Sequence, residues 1–257
     1  MRKILFVVIP FILLYACDGN VNRVIETEAQ KQVEVKAVDA PFSFDAVTNP
    51  TVWRTFQSLE EMQAACQIPD EILKGMSTDD LIQTCMSYPL YGNYLAYNNE
   101  LDGIKTIMDH FNGFAELQKR QDAADKLIAY YEKIDVGNIA KKAMTRSSTT
   151  NNELSILHIG YLELILCSEA IPNLYSDSNI SRLESVRDKR YEEKLLYPNI
   201  YSMHSIKKSL LLGAQIKLKS DVVDAKTKNF LSNYVKMGGE VESLEDYTKV
   251  SLIINNK

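Results

Sequence analysis

The densest set of side chains suited to binding in this 257-residue chain is a tyrosine series, Tyr88, Tyr91, Tyr94 and Tyr97, spaced by three, with Asn93, Asn98 and Asn99 among and after it. Aromatic rings offer a flat apolar face and a polar tip, and amides bond to hydroxyl groups, a combination suited to the faces of sugars. On a helix a spacing of three drifts slowly around the axis, so the rings of Tyr88, Tyr91, Tyr94 and Tyr97 would form one oblique ligand-binding stripe, with Asn93 nearby. The competing expectation is that the rings pack between helices, because Pro89 and Gly92 interrupt the segment. Candidates for catalysis are poorer. His110, His158 and His204 lie far apart, and His110 points to a different helix face from its neighbour Asp109, so no dyad forms locally. His158, within an apolar helix, reads as a hydrogen-bonded core or boundary residue. There is no Gly-x-Ser-x-Gly elbow, glycine-rich phosphate loop, His-Glu-x-x-His or calcium loop. Glu163 and Glu169 share that apolar helix, where a buried acid must be paired or shifted in pKa. The favoured expectation is a face that meets solvent or an arginine such as Arg182. No catalytic residue is assigned, and the chain reads as a non-enzyme without a cofactor.

Cys17 carries a different chemistry. A basic start, Arg2-Lys3, leads into an apolar run from Ile4 to Leu14 that ends at Leu14-Tyr15-Ala16-Cys17. The run is about half the roughly 20 residues of a membrane-spanning helix, so it reads as the core of a secretory signal. Leu-x-Ala-Cys resembles the lipobox of bacterial lipoproteins, in which the signal is removed ahead of the cysteine and the cysteine is acylated. Residues 1–16 are therefore expected to be a signal peptide and Cys17 the lipidation site, with membrane lipid as its partner. Each buried methylene contributes about 0.8 kcal/mol, so several acyl chains anchor stably. The expected location is the cell envelope. The outer membrane is favoured, although Asp18 resembles the inner-membrane retention signal of enteric bacteria.

Loss of residues 1–16 leaves 27 basic against 34 acidic side chains, a formal balance of about −7. Such a domain is repelled by nucleic acid and by anionic lipid alike, which excludes nucleic acid as a partner. Cys66, Cys85 and Cys167 remain, enough for one internal bridge. A Cys66–Cys85 disulfide is open to a protein outside the cytoplasm, but the apolar neighbours Met62, Ala65 and Ile68, and Leu81, Ile82 and Met86, favour free thiols acting as small hydrophobes. No cysteine or histidine pair has ligand spacing, so no metal is expected.

The elements that must position these residues read as helices. Ten glycines and seven prolines, without sustained apolar alternation, argue against sheet. Residues 17–50 read as a polar tether, with Ala40 to Phe44 able to dock onto the body and Asn49-Pro50 marking its start. Residues 51–257 read as a single all-α, multi-helix domain, either an irregular α-solenoid or a compact orthogonal bundle. Ser58 with Glu61, Pro69 with Asp70 and Glu71, and Ser77 with Asp80 start short helices near 58–66, 69–75 and 78–87. Longer ones are expected near 99–111, 114–134, 152–170, 179–196, 202–219, 221–237 and 243–254. Helix 152–170 is apolar all round and reads as central, while 179–194 is charged on most faces and reads as an outer helix. The polar run 145–152 reads as an exposed loop.

The block from Cys66-Gln67-Ile68-Pro69-Asp70-Glu71-Ile72-Leu73 through Met76-Ser77-Thr78 to Leu81-Ile82-Gln83-Thr84-Cys85-Met86-Ser87-Tyr88-Pro89 resembles a signature of helical lipoproteins from Gram-negative anaerobes. The likeness continues through Asp109-His110-Phe111-Asn112-Gly113-Phe114. It implies location and helicity, and no activity or site residue is attached to that group. The functional expectation is a membrane-anchored, non-enzymatic helical module that contacts an envelope protein. The alternative is a glycan- or small-ligand-binding lipoprotein using the tyrosine segment.

Overall fold

The computed structural model describes residues 40–145, 155–220 and 223–255. Cys17, the signal segment, most of the tether and nearly all of the polar run 145–152 lie outside the described residues. Contacts group Val35–Lys257 into one unit. Its described residues form fourteen α-helices and one 3-10 helix, with no strand among them.

The folded body begins earlier than residue 51. Helices α1 (Asp45–Thr48) and α2 (Pro50–Trp53) open it. Ahead of them Phe44 is buried with its ring edge-on to Tyr88, and the Phe42 N–H donates to Thr84 Oγ1 at 2.9 Å. The segment that the sequence marks for docking is thus attached to the body, with Phe44 in the core and Phe42 half-buried against it. Next come α3 (Leu59–Ala65), α4 (Asp70–Gly75) and α5 (Thr78–Met86), where the Ser58 and Ser77 hydroxyls accept from the backbone of Glu61 and Asp80 as their capping motifs require. The 3-10 helix Tyr91–Ala96 leads into α6 (Glu100–His110).

The helix expected over 114–134 is two, α7 (Asn112–Leu117) and α8 (Ala123–Lys133). Tertiary bonds hold the break: Arg120 turns back to Glu116 and to the Leu73 carbonyl, and Thr78 donates to Asp122 at 2.8 Å. Helix α9 (Val136–Thr145) follows, in a stretch where the glycine at 137 reads as a stop; the Tyr201 hydroxyl reaches the Val136 carbonyl at 2.7 Å.

Helices α10 (Ile156–Cys167), α11 (Asp177–Leu195) and α12 (Met203–Lys219) build the centre, with α13 (Ala225–Lys236) and α14 (Leu244–Asn255) closing it. Helix α12 packs against α10, α11, α13 and α14, which makes the body a bundle rather than a solenoid of sequential neighbours. Helix α10 is central as its composition demands, with every residue from Ile159 to Cys167 buried. It runs parallel to α12: Gly160 faces Lys208, and Glu169 meets Gln215 and Lys219. Helix α11 runs antiparallel to both, with Lys194 near Ser205 and Glu184 paired to Lys217.

Helix α11 is not an outer helix. Arg187, Arg190 and Lys194 are all buried, although the segment is the most charged of the chain. The reason is that its arginines serve other helices' ends, while Lys194 pairs with Glu163 of α10. Arg190 donates to the Tyr131 and Glu132 carbonyls at the end of α8, and Arg187 to the Ile254 carbonyl and the Asn255 side chain at the end of α14. A helix C-terminus leaves carbonyls without intrahelical donors and carries partial negative charge, so a guanidinium satisfies both needs. Gly213 makes room for this, since a Cβ there would lie 2.4 Å from Ile254 Cγ2 and 3.1 Å from Arg187 Cζ.

Candidate functional site

The polar chemistry of the body falls into a sealed centre and an open cleft. The sealed centre forms where α10, α11 and α12 meet. Glu163 and Lys194 are 0% exposed and sit 2.6 Å apart. Glu163 also accepts from the hydroxyls of Tyr131 (2.8 Å) and Ser209 (2.7 Å), and the Lys194 ammonium also donates to the Ser205 carbonyl and the Ser209 hydroxyl. Every ammonium hydrogen therefore has an acceptor. Burial draws the Lys194 proton affinity down and Glu163 opposes it, while burial and the same carboxylate push the Tyr131 hydroxyl well up. Neither solvent in bulk nor a substrate reaches these atoms, so the arrangement is a structural ion pair. Glu163 thus departs from the expected meeting with solvent or Arg182; Arg182 instead bonds Glu132. Glu169 does face outward, bonded to Lys219 and Gln215.

The open cleft, about 310 Å³, lies between the start of α6, the first turns of α12 and the turn after α13. Asn99 caps α6 by accepting from the Leu101 N–H and also donates to the Lys236 carbonyl, joining two of its walls. Gly238, in the turn after α13, sits at φ +67°, where a side chain would strike Asn99. Glu100 is shared between His204 and Lys208: Oε1 lies 2.9 Å from His204 Nε2 and Oε2 lies 3.1 Å from Lys208 Nζ. Lys208 is 5% exposed, and burial lowers its proton affinity against the pull of Glu100. Across the cleft Lys207 pairs with Glu240 at 3.0 Å. A second hollow of about 300 Å³ lies beside Asp79, Tyr130 and Lys133.

The tyrosine series is divided by depth. With three residues per turn, the 3-10 helix eclipses positions three apart and turns Tyr91 and Tyr94 to the same inner side. Tyr88 is buried and stacked on Phe111 at 4.3 Å, Tyr91 stacks on His158 at 4.3 Å, and Tyr94 is fully buried and parallel to Tyr161 at 6.0 Å. Asn93 is half-buried beside them, its N–H bonded to the Leu90 carbonyl. Tyr97 alone of the four is exposed, at 41%, and it lines the cleft together with Asn98. The series forms part of the core and delivers one ring to an open site.

The histidines separate likewise. His158 is half-buried; its Nδ1 accepts from the Ser155 N–H at 3.1 Å, and burial lowers its pKa to about 4. His110 Nδ1 bonds the Thr106 carbonyl of its own helix. Cys66, Cys85 and Cys167 are free and buried, with burial raising the Cys66 thiol to about 11 and the other two further. Among the described residues no three acidic, cysteine or histidine side chains are placed to hold a metal ion, and no helix is long and apolar enough to cross a membrane.

Sequence reasoning missed Glu100, Lys207, Lys208 and Glu240, and left His204 as an isolated histidine. A signal existed for three of them, because His204, Lys207 and Lys208 stand at i, i+3 and i+4 on one helix face. Nothing local links them to Glu100 or Glu240. No protein-family model, curated protein or solved structure matches this chain.

Proposed function

We propose that the protein is a lipid-anchored lipoprotein of the bacterial cell envelope, in which a non-enzymatic helical body makes contacts with another envelope protein. The observation that carries the reading is Cys17 at the end of the apolar run Ile4–Leu14 behind Arg2-Lys3. The body supports it: its closest cluster of acid, lysine, serine and tyrosine is a sealed ion pair, while its open cleft is rimmed by exposed apolar side chains. The alternative, a glycan- or small-ligand-binding lipoprotein, is favoured by Tyr97 and Asn98 at that cleft.

The test is to crosslink cells that express the intact protein, solubilise their membranes and identify what is captured, with Cys17→Ala as control. One stoichiometric protein, lost with the anchor, is the expected result. Capture of nothing above background by a folded, membrane-bound protein would overturn the reading and transfer its weight to ligand binding.

A further inference from the structure

We infer that the open cleft binds a neutral pyranose unit, with the C–H face of the sugar on the Tyr97 ring and its hydroxyls on Asn98, Lys207 and Glu240. The inference rests on the ligand-binding reading of this cleft and names the class of ligand.

The charges of the lining are closed on themselves. Lys207 pairs with Glu240 at 3.0 Å and Lys208 with Glu100 at 3.1 Å, so each ammonium in the cleft has its own carboxylate. An ionic ligand would have to draw a partner out of one of these pairs and leave the other member without its counter-charge. A neutral ligand leaves both pairs whole. Hydrogen-bonding capacity is nevertheless left over. An ammonium has three donors and a carboxylate about four acceptor sites. Lys207 spends one donor on Glu240 Oε2, and Glu240 Oε1 has no bond among the described residues. Asn98 is exposed in the lining, and its side-chain amide is likewise without a bond among the described residues. Donors and acceptors thus stand side by side without surplus lysine or carboxylate charge, which complements hydroxyl groups that each donate and accept.

The aromatic wall is exposed yet held in place. Tyr97 is 41% exposed and lines the cleft. A Cβ on Gly103 would lie 2.9 Å from Tyr97 Cδ2 and 2.7 Å from Tyr94 Cα, so this glycine of α6 lets one edge of the ring rest directly on the helix. The Tyr97 N–H also donates to the Tyr94 carbonyl at 3.2 Å. A ring placed in this way gives the apolar C–H surface of a sugar a face to stack on, without the ordering cost of a loose side chain. Leu95 and Leu211 supply the remaining apolar lining. The volume of about 310 Å³ is at the small end of ligand sites, which suits a sugar unit rather than a long chain.

The test is saturation-transfer NMR on the full chain in dodecylphosphocholine micelles at pH 8. The probes are glucose, galactose and mannose, each as the free sugar and as its methyl pyranoside, with methyl glucuronide as the anionic control. Transfer to the ring C–H protons of a neutral sugar is expected, with affinity about tenfold weaker in Tyr97→Ala and about fivefold weaker in Asn98→Ala. Tyr97→Phe keeps the ring and is expected to bind within about twofold of the parent. Both positions are exposed, so the variants are expected to keep the parent's circular dichroism. Binding shared by glycosides and free sugars marks a glycan end as the occupant, and binding by free sugars alone marks a soluble one; each supports the inference. Transfer to no neutral sugar, transfer unchanged by Tyr97→Ala, or glucuronide binding as tight as that of the glucoside would each overturn it. Glucuronide binding without neutral binding would reject the neutral class alone. No transfer to any probe would reject the ligand-binding reading of the cleft as well.

Discussion

Replacing Lys194 by methionine removes one half of the sealed ion pair and keeps the apolar stem. Both partners are 0% exposed at 2.6 Å, so the orphaned Glu163 carboxylate stays out of water with only the Tyr131 and Ser209 hydroxyls to compensate it. Breaking a buried pair in this way costs about 3–5 kcal/mol. Against a total stability of about 5–15 kcal/mol this is severe, and at about 2–4 °C per kcal/mol the midpoint falls by about 10 °C. Glu163→Gln with Lys194→Met removes both charges while the amide oxygen still accepts from Tyr131 and Ser209, so the double variant should lie within about 2 kcal/mol of the parent. Urea unfolding of the parent, both singles and the double, followed by far-ultraviolet circular dichroism, gives the coupling energy. A Lys194→Met loss under about 1 kcal/mol, or a double variant as unstable as the two single losses added together, would refute the assignment of this pair as a mutually dependent buried unit.

Other outcomes follow from the same packing. Tyr131→Phe deletes a donor to Glu163 and is expected to cost about 1–3 kcal/mol, whereas Tyr161→Phe deletes a buried hydroxyl with no partner among the described residues and should be neutral or stabilising by about 1 kcal/mol; paired denaturation curves decide both. His158 is held near 4 against an ordinary 6.5, so it is neutral in the fold and gains a proton more readily when unfolded. Its contribution is complete above about 6.5 and lost as pH falls towards 4, so between pH 6.5 and 5 the parent should lose about 2 kcal/mol more than His158→Gln, and equal slopes would contradict this. Gly213→Ala forces a methyl against Ile254 and the Arg187 guanidinium and should cost about 1–3 kcal/mol, measured by thermal unfolding.

The helical class, the capping serines at 58 and 77 and the central place of α10 are legible because they are local: a hydroxyl three residues before the N–H that donates to it, or an apolar helix on all faces. The misreadings come from long-range partners. Helix α11 looks solvated because three of its faces carry charge, yet Arg187, Arg190 and Lys194 recur at intervals of three and four and form one buried stripe whose acceptors lie on α8, α10 and α14. The break between α7 and α8 is likewise set by Leu73 and Thr78, more than forty residues away. For the site, the tyrosine spacing is genuine but its meaning depended on helix type. A 3-10 turn aligns residues three apart, and it aligned Tyr91 and Tyr94 toward the core. Glu100 and Glu240 carried no sequence signal, since their cations come from α12.

The anchor at Cys17 is the claim on which location and function both depend, and the intact mass of the protein extracted from membranes tests it most directly. The account predicts a chain that begins at Cys17 and carries acyl chains, with Cys17→Ala lacking them. A mass that retains residues 1–16, or a chain beginning at an unmodified Cys17, would contradict it.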